Sequence, residues 1–404
     1  MSGPHSRYRA IELAPLWIPT YRSPLTRFWS LVTAPNLPIW SDGSSLGLPP
    51  LRGEVWADTV VVGLGGSGLA AVLELLARKK TVIGIEAGSV GSGAAGRNGG
   101  FLLAGLHAFH HQVVKDQGRA AADEIYRLTM AELERVATET PEAVRRTGSL
   151  RLASDAEELE DCKAHFDALR QSGLPREWYQ GPEGQGVLIP GDAAFQPLVR
   201  CRQLARRAMA LEARLHESSP AVEISGDHVR TREGMIRCER VIVCVDGGLE
   251  RVLPELARRV RTARLQMLAT GPAPEVRFTR PIYWRYGYEY WQQLPDGRLA
   301  VGGFRDKGGE GEWTVDATPT PEVQDQIDVF LREHLKVTAP VTHRWAACVG
   351  FSSDGLPVVE EARPGVWAVG AYNGTGNLVG PLCARTAVAL ALGDRTPLAD
   401  LLGA

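Results

Sequence analysis

The chain has 404 residues, 44% hydrophobic and 23% charged, with a formal net charge of −2. That length can bury two domain-sized cores, and the near-neutral balance argues against a general nucleic-acid surface. No apolar run approaches the roughly 20 residues of a membrane span. The six cysteines form no C-x-x-C pair or zinc spacing, so no metal site and a reducing, cytoplasmic compartment are expected.

Residues 1–50 hold prolines at 4, 15, 19, 24, 35, 38, 49 and 50, which forbid long helices. Trp17, Trp29 and Trp40 argue against disorder, which is poor in aromatics. The reading is an extended N-terminal arm that packs on the body through its tryptophans. It has no apolar core followed by a small-residue cleavage site, so no signal peptide is expected.

The next stretch, Thr59 to Gly100, organises the chain. Val60, Val61 and Val62 suit a strand buried on both faces. Gly63, Gly65 and Gly68 follow at G-x-G-x-x-G spacing, with Gly66 and Ser67 between them. Leu69 to Ala77 is made mostly of good helix formers, and Thr81 to Ile85 is a second strand ending at Glu86 and Ala87. Gly63 makes the tight turn, Gly65 admits a pyrophosphate to the backbone, and Gly68 lets the helix approach the sheet. The helix start offers N–H groups and a positive dipole end. Glu86 stands about 20 residues on, where a carboxylate accepts from ribose hydroxyls and repels a 2′-phosphate. The bland alternative is a glycine-rich turn with no ligand.

Val90 to Gly100 is too rich in glycine for a helix and too polar for a core strand. Its Gly93-Ala94-Ala95-Gly96-Arg97-Asn98-Gly99-Gly100 resembles the Gly-Ala-Ser-Gly-Arg-Asn-Gly-Gly loop of FAD-dependent amine and amino-acid oxidoreductases. These are the D-amino-acid oxidase-like superfamily, above all the branch with gamma-glutamylputrescine oxidase, sarcosine oxidase and glycine oxidase. The resemblance implies a loop running over the FAD pyrophosphate toward the flavin ring. Ala95 stands where Ser is usual, so one hydroxyl is missing.

From Leu106 to Arg146 the pattern is helical, with Ile125, Leu128, Leu133 and Val136 near a 3.6 period. His107, His110 and His111 just after the glycine loop read either as a functional cluster or as histidines at a helix start. Gly148 to Ala153 reads as a strand and Ala156 to Gly173 as a charged helix. The resemblance makes Gly191 to Pro197 the re-entry into the FAD domain, ahead of a helix over 198–215. Ala221 to Ile224 reads as a strand, whose Val222 the resemblance places against the adenine. Cys238 to Val245 fits a central buried strand.

Residues 255–340 look like a second, antiparallel domain. Ile282 to Trp291 is crowded with aromatics, Asp296-Gly297 signals a hairpin, and Leu299 to Arg305 returns as a strand. Read as one strand, the first segment puts Tyr286, Tyr288 and Tyr290 on one face and Arg285 on the other. That face is either an amine pocket or a sheet core. A substrate carboxylate needs an Arg, with Arg285 and Arg305 as candidates, whereas an alkyl amine needs aromatic walls and a distant acid such as Glu289. Pro321 to Leu335 reads as a closing helix.

Val366 to Leu378 reads as a strand, a glycine turn and a helix start. It resembles the second flavin signature of the superfamily, which implicates Gly370, Asn373, Gly374, Thr375, Gly376, Asn377 and Leu378 at the pyrimidine end of the ring. Sarcosine oxidases carry a Lys near the flavin where this chain has Arg298 to Val301, which leaves the electron acceptor as O2 or another molecule. They also attach FAD through a Cys near the position of Cys348, so this residue is either a covalent flavin tether or a buried strand cysteine.

The expected fold is α/β. A Rossmann-like FAD-binding domain (51–105, 190–255 and 340–404) joins a mainly antiparallel α+β substrate domain (106–189 and 256–339). The expected activity is oxidation of an amine or N-substituted amino acid to an imine, with Tyr288, Tyr290 and Arg305 at the substrate. The alternatives are an NAD-dependent dehydrogenase, which needs neither the second glycine turn nor the Arg-Asn-Gly-Gly loop, and an FAD-binding subunit or sensor without turnover.

Overall fold

The computed structural model describes residues 36–403. Trp17 and Trp29 of the expected arm lie outside the described residues. Trp40 is buried, and its indole Nε1 donates to Asn98 O at 2.7 Å, so this end of the arm packs on the glycine loop.

Two sheets organise the body. The first has six strands in the order Arg214–His216, Val82–Ile85, Thr59–Val62, Arg240–Cys244, Val366–Gly370 and Val358–Arg363. All neighbours are parallel except the last pair. Thr59–Val62 is buried at every position, as its β-branched run requires. Helices Gly66–Ala77 and Val379–Ala391 cover one face through Leu69, Val72, Leu75, Ala384 and Val388. The opposite face buries Val60, Ile83, Val241 and Val243 with Leu249 and Leu253.

The second sheet has eight strands in the order Val341–Ser352, Val260–Pro272, Arg298–Gly303, Glu289–Gln293, Ile282–Trp284, Ser149–Leu152, Gly184–Ile189 and Glu177–Gly181. It is antiparallel apart from the pairing of Ile282–Trp284 with Ser149–Leu152. The strand Val341–Ser352 belongs here, so the chain rejoins the six-stranded sheet at Val358 rather than at 340. The helix Arg119–Glu139, expected with the substrate sheet, is also tied to the other side: Arg385 Nη2 reaches Glu132 at 3.0 Å.

One row of residues crosses all eight strands in register: Trp178, Val187, Arg151, Tyr283, Tyr290, Gly302, Met267 and Trp345. Register partners point to the same face, so these side chains share one side of the sheet. The other side buries Leu150, Ile282, Trp291, Leu299, Val301 and Leu268 against Val323 and Ile327 of the helix Pro321–Val329. No helix among the described residues is long and apolar enough to cross a membrane.

Candidate functional site

Steric need explains the first turn. A methyl on Gly63 would overlap the Cys244 carbonyl oxygen, and one on Gly68 would overlap the Gly63 carbonyl oxygen. A methyl on Gly66 or Gly93 would meet nothing within 4 Å. The helix Gly66–Ala77 starts without a side-chain cap, which leaves its first N–H groups free for a ligand. Glu86 accepts from Leu64 N at 2.9 Å and Gly88 N at 3.0 Å, one bond on each oxygen. Burial raises the pKa of its carboxyl against those bonds. Lone pairs remain on both oxygens.

The loop from Arg97 to Gly100 is held from four directions. Arg97 Nε donates to Ala346 O at 2.8 Å, and Trp345 Nε1 donates to Arg97 O at 2.7 Å. Asn98 spans the loop, donating to Ala94 O and Ala95 O and accepting from Gly100 N. Gln292 donates to the carbonyls of Gly99 and Gly100. Gly99 abuts the ring of Tyr290, so this loop lies on the row side of the eight-stranded sheet.

The structure brings the 93–100 loop and the second glycine-rich turn together. Asn377 Nδ2 donates to Asn98 Oδ1 at 3.2 Å and to Phe101 O at 2.8 Å. The helix Val379–Ala391 also starts without a side-chain cap. The second turn is tied to the substrate sheet by Asn373, whose N–H donates to Gly350 O and whose Oδ1 accepts from Ser352 N at 3.0 Å. Asn373 is therefore a joint between the turn and the sheet.

Val222 is exposed and precedes the short strand Glu223–Ile224 in a separate four-stranded sheet. Its N–H donates to Arg230 O, so only its carbonyl remains for a ligand. The segment beside Glu86 is instead 216–219, through Glu86 N to His216 O and Ser219 N to Glu86 O.

The aromatic segment departs from the single-strand reading. It is a hairpin: Ile282–Trp284, a turn at Arg285–Gly287, then Glu289–Gln293. Arg285 and Tyr286 take positive φ at the turn, which breaks the alternation. Tyr286 swings to the helix Ala156–Gln171, where its hydroxyl donates to Asp161 at 2.9 Å. Tyr288 is exposed, and only Tyr290 joins the sheet face, stacked on Tyr283 with ring centroids 5.8 Å apart. Arg285 is consumed by Glu289 and Asp306. Glu289, fully buried with that partner, is thereby removed as a free acid for an amine.

Arg305 is different. Its guanidinium lies 4.8 Å from the Phe351 ring, 5.0 Å from Trp313 and 5.9 Å from Tyr288, and it makes no ion pair among the described residues. Phe351 precedes Ser352, the partner of Asn373, so Arg305 sits at the sheet end that meets the second turn. Cys348 is half-buried on Val341–Ser352 against Gly247. Burial pushes its thiol up to about 11.

His110 is buried at the start of the helix His110–Gln117, with Nε2 2.9 Å from Asp123, and burial lowers its pKa. It reads as a helix-start histidine with a structural partner. Sequence reasoning missed Trp345, Gln292 and Asn36. Gln292 lies two residues beyond Tyr290 on the same face, so the period-two pattern carried the signal. The Asn36 contacts to Arg97 and Ala346 carry no local signal.

Residues 58–390 match the FAD dependent oxidoreductase family. The chain belongs to this family. FAD is accordingly its cofactor, and the open start of the helix Gly66–Ala77 with the converging turns has the form that a dinucleotide needs. The chain is 26% identical over 415 residues to the probable oxidoreductase OrdL of Rhizobium meliloti, covering 95% of this chain and 92% of that one. It is 25% identical over 376 residues to the gamma-glutamylputrescine oxidoreductase of Escherichia coli, covering 85% of each. Its fold is similar to glycine oxidase from Geobacillus kaustophilus, with a TM-score of 0.70 and 20% identity over 85% of this chain and 96% of that one. L-proline dehydrogenase from P. horikoshii gives a TM-score of 0.68 and 19% identity over 86% and 96%. The family membership makes the chain an oxidoreductase of the amine and amino-acid oxidase kind and sets aside the NAD-dependent alternative.

Proposed function

We propose that the chain oxidises the C–N bond of a carboxylate-bearing amine, an amino acid or N-substituted amino acid, to an imine that water hydrolyses. FAD, when bound, supplies the hydride acceptor at N5. Gly65, Gly66, Ser67, Gly68, Gly93, Ala94 and Ala95 would hold its pyrophosphate, Glu86 and Ala87 its ribose, and Arg97 to Gly100 with the turn Gly370 to Leu378 its ring. The Val222 carbonyl is left for the adenine. The names of the relatives, which act on gamma-glutamylputrescine, glycine and L-proline, support an amine or amino-acid substrate.

Arg305 carries the choice of a carboxylate. Three rings lie within 6 Å of its guanidinium, and it makes no ion pair among the described residues. Such a group fits a planar carboxylate with two parallel hydrogen bonds. Tyr288 roofs the guanidinium, and Tyr290 supplies an apolar wall against the loop at Gly99.

Anaerobic bleaching of the flavin by a panel of amines and amino acids tests the activity. Arg305→Met is expected to raise KM for the best amino acid by about 10- to 100-fold, the worth of a charged hydrogen-bonded pair. The matching amine without a carboxylate should be unaffected. Equal losses for both substrates remove Arg305 from recognition, and a panel that bleaches nothing favours the non-catalytic reading. Cys348 is the candidate that the resemblance to sarcosine oxidases offers for a covalent tether; yellow colour left wholly in the supernatant after acid precipitation rejects that role.

A further inference from the structure

A small cavity lies beside the aromatic face, between the strand Ser149–Leu152, the segment 104–108 and the helices His110–Gln117, Arg119–Glu139 and Ala156–Gln171. Its volume is about 10 Å³, room for one water or an ion of that size. Tyr126, Arg151 and His165 line it, with only 3%, 7% and 2% of their surfaces exposed. Tyr126 Oη, Arg151 Nε and His165 Nε2 have no hydrogen-bond partner among the described residues. Arg151 makes no ion pair among them either. A buried donor without a partner is costly and calls for one.

All three orphaned atoms are donors. Arginine carries only donors and keeps its charge, and a tyrosine hydroxyl donates. The His165 assignment follows from its neighbour: His110 N donates to His165 Nδ1 at 2.9 Å, so Nδ1 bears no proton and Nε2–H does. His110, which also lines the cavity, has its Nε2 occupied by Asp123. No carboxylate lines the space. Asp192, the buried acid nearby, accepts from Ala104 N at 2.9 Å and Ser149 Oγ at 2.6 Å and offsets part of the Arg151 charge, but it does not line the cavity.

We propose that this cavity binds a small monovalent anion of halide size, held by Arg151, Tyr126 and His165. A water would accept two of the three hydrogen bonds, whereas a halide accepts all three and sets a negative charge beside the guanidinium. Arg151 is the register partner of Tyr283, so the ion would fix the residue that flanks the stacked tyrosines. The site is independent of the flavin chemistry.

Crystals of the flavin-loaded enzyme soaked in sodium bromide should show an anomalous peak between the three donors. Thermal unfolding of the same enzyme, with chloride exchanged for gluconate at constant ionic strength, should give a midpoint that rises with chloride and saturates. Gluconate is too large for the cavity. Arg151→Met should abolish that dependence. Tyr126→Phe should raise the half-saturating chloride several-fold, and it serves if the first variant does not fold. A cavity without anomalous signal overturns the proposal, as does a wild-type midpoint indifferent to chloride.

Discussion

The two glycine-rich helix starts do similar work by different means. The first is built locally: Gly63 and Gly68 are required because the backbone around them leaves no room for a Cβ. The second is built from a distance. Ala371 and Asn373 take positive φ without being glycine, at φ 53 and 54, a strain of roughly 1–3 kcal/mol each. Hydrogen bonds from Asn373 N to Gly350 O, from Ser352 N to Asn373 Oδ1 and from Tyr372 N to Asp246 hold that shape. The first turn is a cradle, while the second is a cradle that also couples two sheets. A steric demand shows in spacing, but a coupling shows only in partners far along the chain.

Substitutions can break this contrast. Gly68→Ala should have the largest effect, because the added methyl meets a backbone oxygen that cannot move aside: a loss of about 3 kcal/mol or more and no retained flavin, read by unfolding and by the visible spectrum. A stable, yellow variant would end the steric account. Asn373→Ala should come next, costing about 2–3 kcal/mol through its lost hydrogen bonds yet still binding FAD. Asn98→Ala should divide its cost the other way, with a smaller drop in unfolding midpoint and a larger drop in FAD affinity, since its bonds lie within the cradle. If the two asparagine variants behave alike in calorimetry and FAD titration, the division between cradle and coupler fails. Gly66→Ala should be mildest for the fold. Its methyl meets no atom of the protein, and stability of the apoprotein should hold or rise by about 0.4–1 kcal/mol. FAD titration should nonetheless show about 10-fold weaker binding, a difference of about 1.4 kcal/mol.

The same contrast explains what could be read from the chain alone. The strand Thr59–Val62, the helix after it and the acid at Glu86 rest on local sterics and periodicity, and all were legible. The meeting of the 93–100 loop with the second turn through Asn98 and Asn377 depends on residues 279 positions apart. The aromatic segment was misread because period two assumes an unbroken strand, and nothing local announces that Arg285 and Tyr286 turn the chain. The fate of Arg285 depended on Asp306, and the freedom of Arg305 on the absence of such an acid. Neither is visible without the tertiary arrangement. The strand Val341–Ser352, grouped with the FAD-binding residues because it adjoins the second turn in sequence, pairs with Val260–Pro272 in space.

The row from Trp178 to Trp345 makes the sheet a single gauge. Strand side chains alternate, so slipping any member by one residue carries its contribution to the far side. The row terminates in an indole that grips the Arg97 carbonyl. An inserted or deleted residue within a middle strand, however remote, would thus be transmitted to the loop as a misplaced anchor. Length changes in this protein should be tolerated in the hairpin ends and penalised between them.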